Sequence, residues 1–497
     1  MIELLDVVLP IISLVVFALL TLPVFRGIRK TQHKTALTIA WFATIFAFSG
    51  AAVANLALKY YSLQSPQPFL NITVTDAASA AFSSAFMIDA VSVYMAVIFV
   101  AVSAVVILYS VFYVDSSKRP SERYYAIMIL LTAALIGAVF SGDLLTLFIF
   151  WEAAAAGSGF LMVYKKTAKS FNSTLKYLVM IIIASAFVVF GLSLVYGLTG
   201  TLNFWAVKEA LMTLADKHLL ILAFVFIIVG YAIESAVVPF HFWLPDAYSA
   251  APSSSAAFLS ALIDQGSYYV LIRVLVFILT PPGVLDWPFM LAVMAALTMI
   301  VGNFFALIQN DVKRLMANIC VADVGYNLVA ITSVTPAGLK GNLFFFLVGG
   351  ITTALAFMTV GLINRYGFRT LEDFAGLGRK MPYASFALFI AALSFAGVPT
   401  TGGFMAKYLV VNAVINTKFS WLAVILVLVS VLQTAYLFRL VNQMYAKKPK
   451  DETRIKEPLK LLIPIFILVA AIIVIGVYPS LVLDLIQPAV TQFPLIP

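Results

Sequence analysis

Charged residues are scarce in this sequence of 497 residues: 11% are Asp, Glu, Lys or Arg, against 63% hydrophobic, with a mean hydropathy of +1.05. A water-soluble protein of this length cannot cover its surface with so little polarity, which excludes a soluble enzyme or binding domain. Cysteine is almost absent. Cys320 stands alone, so the chain has no intrachain disulfide and no cysteine cluster for zinc or iron–sulfur. The three histidines, His33, His218 and His241, are too scattered to suggest haem or metal ligation. No phosphate-binding loop or dinucleotide-binding glycine pattern occurs, so no nucleotide and no other cofactor is expected. The longest polar stretches, near 59–84, 198–218 and 444–457, are too short to build an independent core.

Apolar runs are what the sequence has, almost end to end. A bilayer-crossing helix takes about 20 mostly apolar residues. Such stretches fall near 3–25, 35–58, 85–113, 124–141, 144–164, 174–197, 219–240, 252–279, 287–308, 315–334, 340–364, 384–416, 421–443 and 458–482. The expected fold class is therefore an all-α polytopic membrane protein with about fourteen transmembrane helices. The residues after Met1 run straight into an apolar stretch with no small-residue cleavage site, and read as a first span rather than a signal peptide.

The net charge of +9 sits in short clusters between the spans, as membrane topology requires, and does not call for a nucleic-acid partner. Arg26, Arg29, Lys30 and Lys34 fall in one loop, Lys118, Arg119 and Arg123 in another, and Lys165, Lys166 and Lys169 in a third. Further on come Lys313 and Arg314, then Arg365, Arg369, Arg379 and Lys380, then Lys447, Lys448, Lys450, Arg454 and Lys456. These twenty-one residues lie on alternate loops, and the intervening loops hold five, Lys59, Lys208, Lys217, Lys340 and Lys418. Positive loops stay inside, so both termini are expected on the non-cytoplasmic side of the cell membrane.

Six of the ionisable residues within the apolar runs stand out: Glu152, Lys176, Glu234, Asp264, Asp323 and Lys407. Each costs several kcal/mol at the bilayer centre unless hydrated or paired. Local pairing that only fixes helix contacts accounts for any one of them; six together point to a hydrated polar path. The small-residue run Ala153–Gly159 beside Glu152 allows close helix packing. Two spans are interrupted in the middle, the seventh around Pro239 and His241, the twelfth around Gly397, Pro399, Gly402 and Gly403. Such breaks free backbone groups that must face protein or water, and paired breaks point to a transport site between inverted repeats. That pairing divides the chain into helices 1–3 (1–113), a first five-helix repeat (114–279), a second (280–443) and a last helix (444–497), with Glu234 corresponding to Lys407. A proline kink without function remains open for either break.

The stretches GDLLTLFIFWE, LKYLVM, VPFHFWLPDAYSAAP, NDVKRLMANICVADVGY and SFAGVPTTGGFMAKY, with FMIDAVSVYM from Phe86 before them, give the chain its likeness. It resembles the antiporter-like subunits of respiratory complex I, the D-type subunit of Mrp cation/proton antiporters, and their relatives in archaeal membrane-bound hydrogenase and sulfane sulfur reductase complexes. The resemblance implies two inverted five-helix repeats and a central hydrated axis of charged residues, with Glu152, Lys176 and Lys407 at positions matching the family's. It also exposes departures. Glu234 and Asp264 stand where the family usually has lysines, Gly349 and Thr353 where it has histidine and lysine, and Asp323 where glutamine is common. Two carboxylates in one neighbourhood cannot both ionise at ease, so a shared proton or a bound cation such as sodium becomes favourable.

Three functions follow from this reading. The first is a proton- or sodium-translocating subunit of a redox-driven complex of hydrogenase or sulfane reductase type. Its cofactors would lie on partner subunits, and its neighbours in the bilayer would be other membrane subunits, further antiporter-like ones included. The second is a structural paralogue with a degenerate channel. The third is an antiporter outside a redox complex, either a stand-alone secondary antiporter or the D-type subunit of an Mrp cation/proton antiporter. The chain ends at Pro497 soon after the last span, without the long lateral helix of one complex I subunit, which favours a D-type or hydrogenase-type relative. The residues expected on the ion path are Glu152, Lys176, Glu234, His241, Asp264, Asp323 and Lys407. None is expected to be catalytic or to bind metal.

Overall fold

A computed structural model of the chain describes residues 2–28, 34–62, 70–73, 85–114, 121–213, 218–279, 286–449 and 453–492. His33 and, from the charge clusters, Arg29, Lys30, Lys118, Arg119, Lys217 and Lys450 lie outside the described residues.

Helices follow the apolar runs. In the N-terminal third come α1 (Leu4–Ile28), α2 (Lys34–Tyr61), α3 (Ala90–Tyr113), α4 (Glu122–Phe140) and α5 (Leu144–Met162). Then come α6 (Ala168–Thr199), α7 (Phe204–Thr213), α8 (His218–Glu234), α9 (Trp243–Ala250), α10 (Ser253–Phe258) and α11 (Asp264–Leu271). The remainder forms α12 (Trp287–Leu307), α13 (Val312–Thr332), α14 (Pro336–Asn364), α15 (Leu377–Lys380), α16 (Pro382–Ala396), α17 (Gly402–Val414), α18 (Ser420–Tyr445), α19 (Leu459–Val477) and α20 (Ser480–Gln492). Helices α10 and α11 form one continuous span through π-helical turns at Leu259–Ile263 and Ile272–Ile278. Twelve spans among the described residues are long and apolar enough to cross a membrane. The expected seventh and twelfth spans instead come as the pairs α8–α9 and α16–α17.

The helix starts are chemically marked. Asp89 accepts from the Ser92 amide at 2.7 Å and Ser92 Oγ accepts from the Asp89 amide at 3.0 Å, so α3 opens with a reciprocal cap. Thr167 caps α6 reciprocally with Ser170, and Asp143, Asp311 and Thr335 each accept from one amide in the first turn of α5, α13 and α14. Caps matter where water is not at hand for the first unpaired amides of a helix.

The structure corrects the sequence reading in three places. The third span was expected from residue 85, but Ala85–Ile88 is a strand, β2, paired antiparallel with β1 (Leu70–Thr73). The Ala85 amide donates to Asp143 at 3.1 Å and its carbonyl accepts from the Gly142 amide at 2.7 Å, fixing the strand to the start of α5. The polar stretch near 198–218 contains a short helix, α7, and a further helix, α20, follows the last span.

Burial orders the helices. The α10–α11 span and α13 are buried along their whole apolar windows and α14 nearly so, whereas only 33% of the windows of α2 and α6 is buried. Phe171, Ile182, Phe438 and Leu428 project outward, as side chains facing lipid or apolar partners do. The polar residues of the spans thus collect on a few central helices, where protein groups and water can satisfy them.

Candidate functional site

Helix α8 stops at Glu234. The chain then turns through Ser235–Pro239, with Ala236 at φ +53, and passes one 3₁₀ turn, Phe240–Phe242, before α9 begins. Backbone groups freed by the break find protein partners: Trp243 Nε1 donates to the Ile233 carbonyl at 3.0 Å, and the Val238 amide donates to Thr298 Oγ1 at 3.1 Å. The interruption at Pro239 is as the sequence predicts. The surroundings of His241 are not. Its buried ring lies against Phe242 and Phe305, at centroid distances of 4.3 and 5.8 Å, with the Pro239 backbone as polar contact and Nδ1 unpartnered among the described residues. The pocket is aromatic because the break turns the short 3₁₀ segment against α12.

At the same break the Glu234 carboxyl faces that of Glu152 from α5, and the Trp151 indole donates to Glu234 Oε2. Glu152 Oε1, Glu234 Oε1, the Tyr231 hydroxyl and Ser235 Oγ are all buried without a hydrogen-bond partner among the described residues. Buried polar atoms are rarely left so, and this cluster is completed by water, a shared proton or a cation. Glu234 also sits at the C-terminal end of α8, where the helix dipole opposes a second negative charge.

The next group along is Asp264 on the central span, with the Glu pair on one side and Asp323 on the other. Tyr177 lies within electrostatic reach of Glu152, Glu234 and Asp264, and its hydroxyl contacts the Ala155 carbonyl at 2.6 Å and Ser158 at 2.8 Å. Tyr248 donates to Asp264 Oδ1 at 2.5 Å. Asp264 feels the charge of Asp323 on α13. Asp323 in turn shares with Lys407 the walls of a cavity of about 20 Å³, room for one water.

Lys407 is buried and well supplied with acceptors. Its ammonium donates to the Phe395 carbonyl at 2.7 Å, Gln433 Oε1 at 2.6 Å and Ser430 Oγ at 3.3 Å, and lies 4.8 Å from the Tyr326 ring. Tyr326 donates to the same Gln433 oxygen at 3.1 Å, and Asn303 and Tyr436 extend the polar chain. The second break makes this possible. Gly397, at φ +74, and Thr400, at φ +80, turn the chain between α16 and α17. A Cβ on Gly403 would lie 1.9 Å from the Ser394 carbonyl, so only glycine lets the two half-helices pass this closely. Lys407 follows its break and reaches back to the end of α16, where carbonyls favour a cation. Glu234 precedes its own break, so the two groups occupy similar helix ends by different routes.

The structure thus brings together Glu152, Glu234, Asp264, Asp323 and Lys407. It does not bring in Lys176, which is largely exposed on α6 and pairs with Asp246 at 2.8 Å; Arg314 holds the other Asp246 oxygen at 2.9 Å. An apolar run marks a span but not which face of it a residue occupies, and α6 is a peripheral helix. Gly349 lines the 20 Å³ cavity, and the buried Thr353 bonds its own helix at the Gly350 carbonyl. Sequence reasoning missed Trp151, Tyr177, Tyr248, Tyr326 and Gln433. Aromatic residues in membrane spans read as interfacial anchors or packing, but a lone glutamine in SVLQTAYLF was a visible signal. So was Arg273 in VLIRVLVF. It is fully buried and bidentate to Asp89 at 2.6 and 3.0 Å.

Comparison with known proteins bears on this arrangement. The family described as NADH:quinone oxidoreductase/Mrp antiporter, transmembrane, matches residues 141–434. The chain is 32% identical over 451 residues to the NADH-quinone oxidoreductase subunit N of Thioalkalivibrio sulfidiphilus, covering 90% of this chain and 91% of the other. It is 31% identical over 420 residues to the F(420)H(2) dehydrogenase subunit N of Methanosarcina mazei, covering 82% and 85%. Among solved structures, a chain of the archaeal membrane-bound sulfane sulfur reductase superposes with a TM-score of 0.86 at 27% identity, over 98% of this chain and 97% of that one. A chain of the Mrp complex from a Dietzia species superposes at 0.87 over 99% and 98%, and at 22% identity shares the fold.

Proposed function

The chain belongs to the NADH:quinone oxidoreductase/Mrp antiporter transmembrane family, and from that premise we propose that it is an ion-translocating, antiporter-like subunit of a multisubunit membrane complex, and that the ion is the proton. The observation that carries this reading is the row of buried ionisable groups Glu152, Glu234, Asp264, Asp323 and Lys407, each within electrostatic reach of the next or, between the Glu pair and Asp264, of the intervening Tyr177. Four of the five are carboxyls. Such groups pass a proton by exchanging it with a neighbour through a hydroxyl or a single water, and Tyr177, Tyr248 and the small cavity beside Asp323 supply those intermediates. Neither hydrophobic packing nor local pairing requires acids at successive depths.

Two finer readings belong with it. The breaks at α8–α9 and α16–α17 are the matching midpoints of two inverted repeats, each carrying part of the row. The complex is driven by electron transfer in partner subunits, of dehydrogenase or sulfane reductase type; relatives above 30% identity that are N subunits of an NADH-quinone oxidoreductase and of an F(420)H(2) dehydrogenase support a redox-driven partner. Ion identity is tested by reconstituting the whole complex in liposomes and following internal pH during redox turnover in sodium-free medium. Acidification or alkalinisation that persists without sodium, and falls by at least about half relative to turnover in Asp323→Asn, an order-of-magnitude expectation for removal of one buried titrating group, is the predicted result. Ion movement that requires sodium assigns the row to that ion instead.

A further inference from the structure

A second charged feature lies outside this row. At the ends of α3, α5 and α14 and the starts of α6 and α13 the structure holds a cavity of about 610 Å³, within the range of small-molecule sites. Lys165, Lys169, Lys313, Arg365 and Arg369 line it, against one carboxylate, Asp311. None of the five cations forms an ion pair among the described residues. At the floor the buried ammonium of Lys313 and that of Lys165 both donate to one acceptor, the Ala251 carbonyl. Asp311 caps α13 through the Arg314 amide at 2.8 Å, so part of its accepting capacity is already used.

Two ammonium groups converging on one carbonyl, with two N–H donors each beyond that bond, is a costly arrangement unless an anion shares it. The rim adds two guanidinium forks, the geometry that matches phosphate oxygens. The basin cannot serve as the entrance to the proton row, because a concentration of positive charge repels an approaching cation. Its level matters too. It is built from helix termini, the depth at which lipid headgroups lie, and basic pockets between membrane helices suit anionic headgroups.

We propose that this basin is a binding site for a phosphate group, with Lys313 and Lys165 holding it from below and Arg365, Arg369 and Lys169 closing over it. The phosphate has two possible sources, an anionic phospholipid headgroup or free inorganic phosphate, and the cavity is roomy enough for either. The site is independent of ion translocation.

The test uses the full-length chain in phosphatidylcholine nanodiscs. One arm adds phosphatidylglycerol to the bilayer and reads thermal unfolding together with native mass spectra. The other adds inorganic phosphate at fixed ionic strength against chloride. The expected result is a rise in unfolding temperature in at least one arm. Retained phosphatidylglycerol in the first identifies a lipid, and a shift confined to the second identifies free phosphate. The exposed double variant Lys169→Gln/Arg369→Gln, which leaves Lys313 and Lys165 in place, should weaken the response about tenfold, the scale of one charge-assisted hydrogen bond. Lys313→Gln should weaken it further if it still folds. No stabilisation by either phosphate source beyond that of chloride overturns the proposal, as does a response unchanged in the double variant. Loss of an acidic partner segment from the purified complex in the same variant, without any phosphate effect, would reassign the basin to protein docking and also overturn it.

Discussion

Arg273 and Asp89 show how a membrane protein tolerates full charges away from the row of Glu152, Glu234, Asp264, Asp323 and Lys407. The guanidinium and carboxylate meet at 2.6 and 3.0 Å, Tyr269 accepts from Arg273 Nε at 3.0 Å, and Asp89 also caps α3. The pair therefore ties the central span to α3 through a two-pronged ion pair in which both Asp89 oxygens and all three guanidinium nitrogens are engaged. Truncating one member leaves the other charged and buried, which costs roughly 3–5 kcal/mol. Arg273→Leu is expected to lower stability by that order in denaturant titrations in detergent, and Arg273→Met combined with Asp89→Asn by clearly less. Equal losses would show that the pair is not coupled. The Glu152–Glu234 site is the opposite case. It has acceptors in excess and few donors, so it needs a mobile partner. On the proposed function, that difference between a closed pair and an open one is what distinguishes structural charge from charge on the ion path.

Among the elements, the two broken spans carry most of the consequence. Gly403 lets α17 pass against the end of α16, and any side chain there collides with the Ser394 carbonyl. Gly403→Ala forces the half-helices apart, at a cost of about 1–3 kcal/mol, and should withdraw Lys407 from the Phe395 carbonyl. Lower unfolding temperature together with lost ion movement is the expected outcome; wild-type behaviour in both would show the break to be loose. The start of α16 is capped from a distance, since Glu457 accepts from the Tyr383 and Ala384 amides at 3.0 and 2.7 Å. Glu457→Ala should cost about 1 kcal/mol, as cap removal does, measured by the same unfolding assay. Both breaks were legible in the sequence because proline and paired glycines interrupt apolar runs unambiguously. The strand at Ala85–Ile88 was not, because a continuous apolar segment reads alike as strand or helix. Which face of α6 carries Lys176 was equally hidden, since an apolar helix surrounded by lipid has little polar face to orient it.

On the scale of the whole molecule, hydropathy was enough to give the class and nearly every span, because a bilayer enforces length and apolarity more strictly than water enforces any pattern. Side-chain convergence could not be read the same way, as it depends on tertiary packing: Tyr248 and Gln433 reach the row from 16 and 26 positions away from the groups they contact. Positive loops expected on one side do converge, with Lys165, Lys169, Lys313, Arg365 and Arg369 meeting in one basin. The loops at 26–34 and 444–457 carry the same positive excess and are proposed to lie on the same, cytoplasmic side. With Cys320 replaced by serine, single cysteines in those loops should be labelled by impermeant reagents only in inverted vesicles. Labelling of both from outside reverses the orientation.

The central claim is that the buried row conducts. Its most direct test is the ratio of ions taken up to electrons transferred, measured in proteoliposomes containing the whole complex. Glu152→Gln and Glu234→Gln keep the shape and hydrogen-bonding capacity of the side chains but remove the titrating proton. The account predicts that both variants assemble and transfer electrons while the ratio falls. A ratio unchanged in both would contradict it, and would leave the chain as a membrane scaffold.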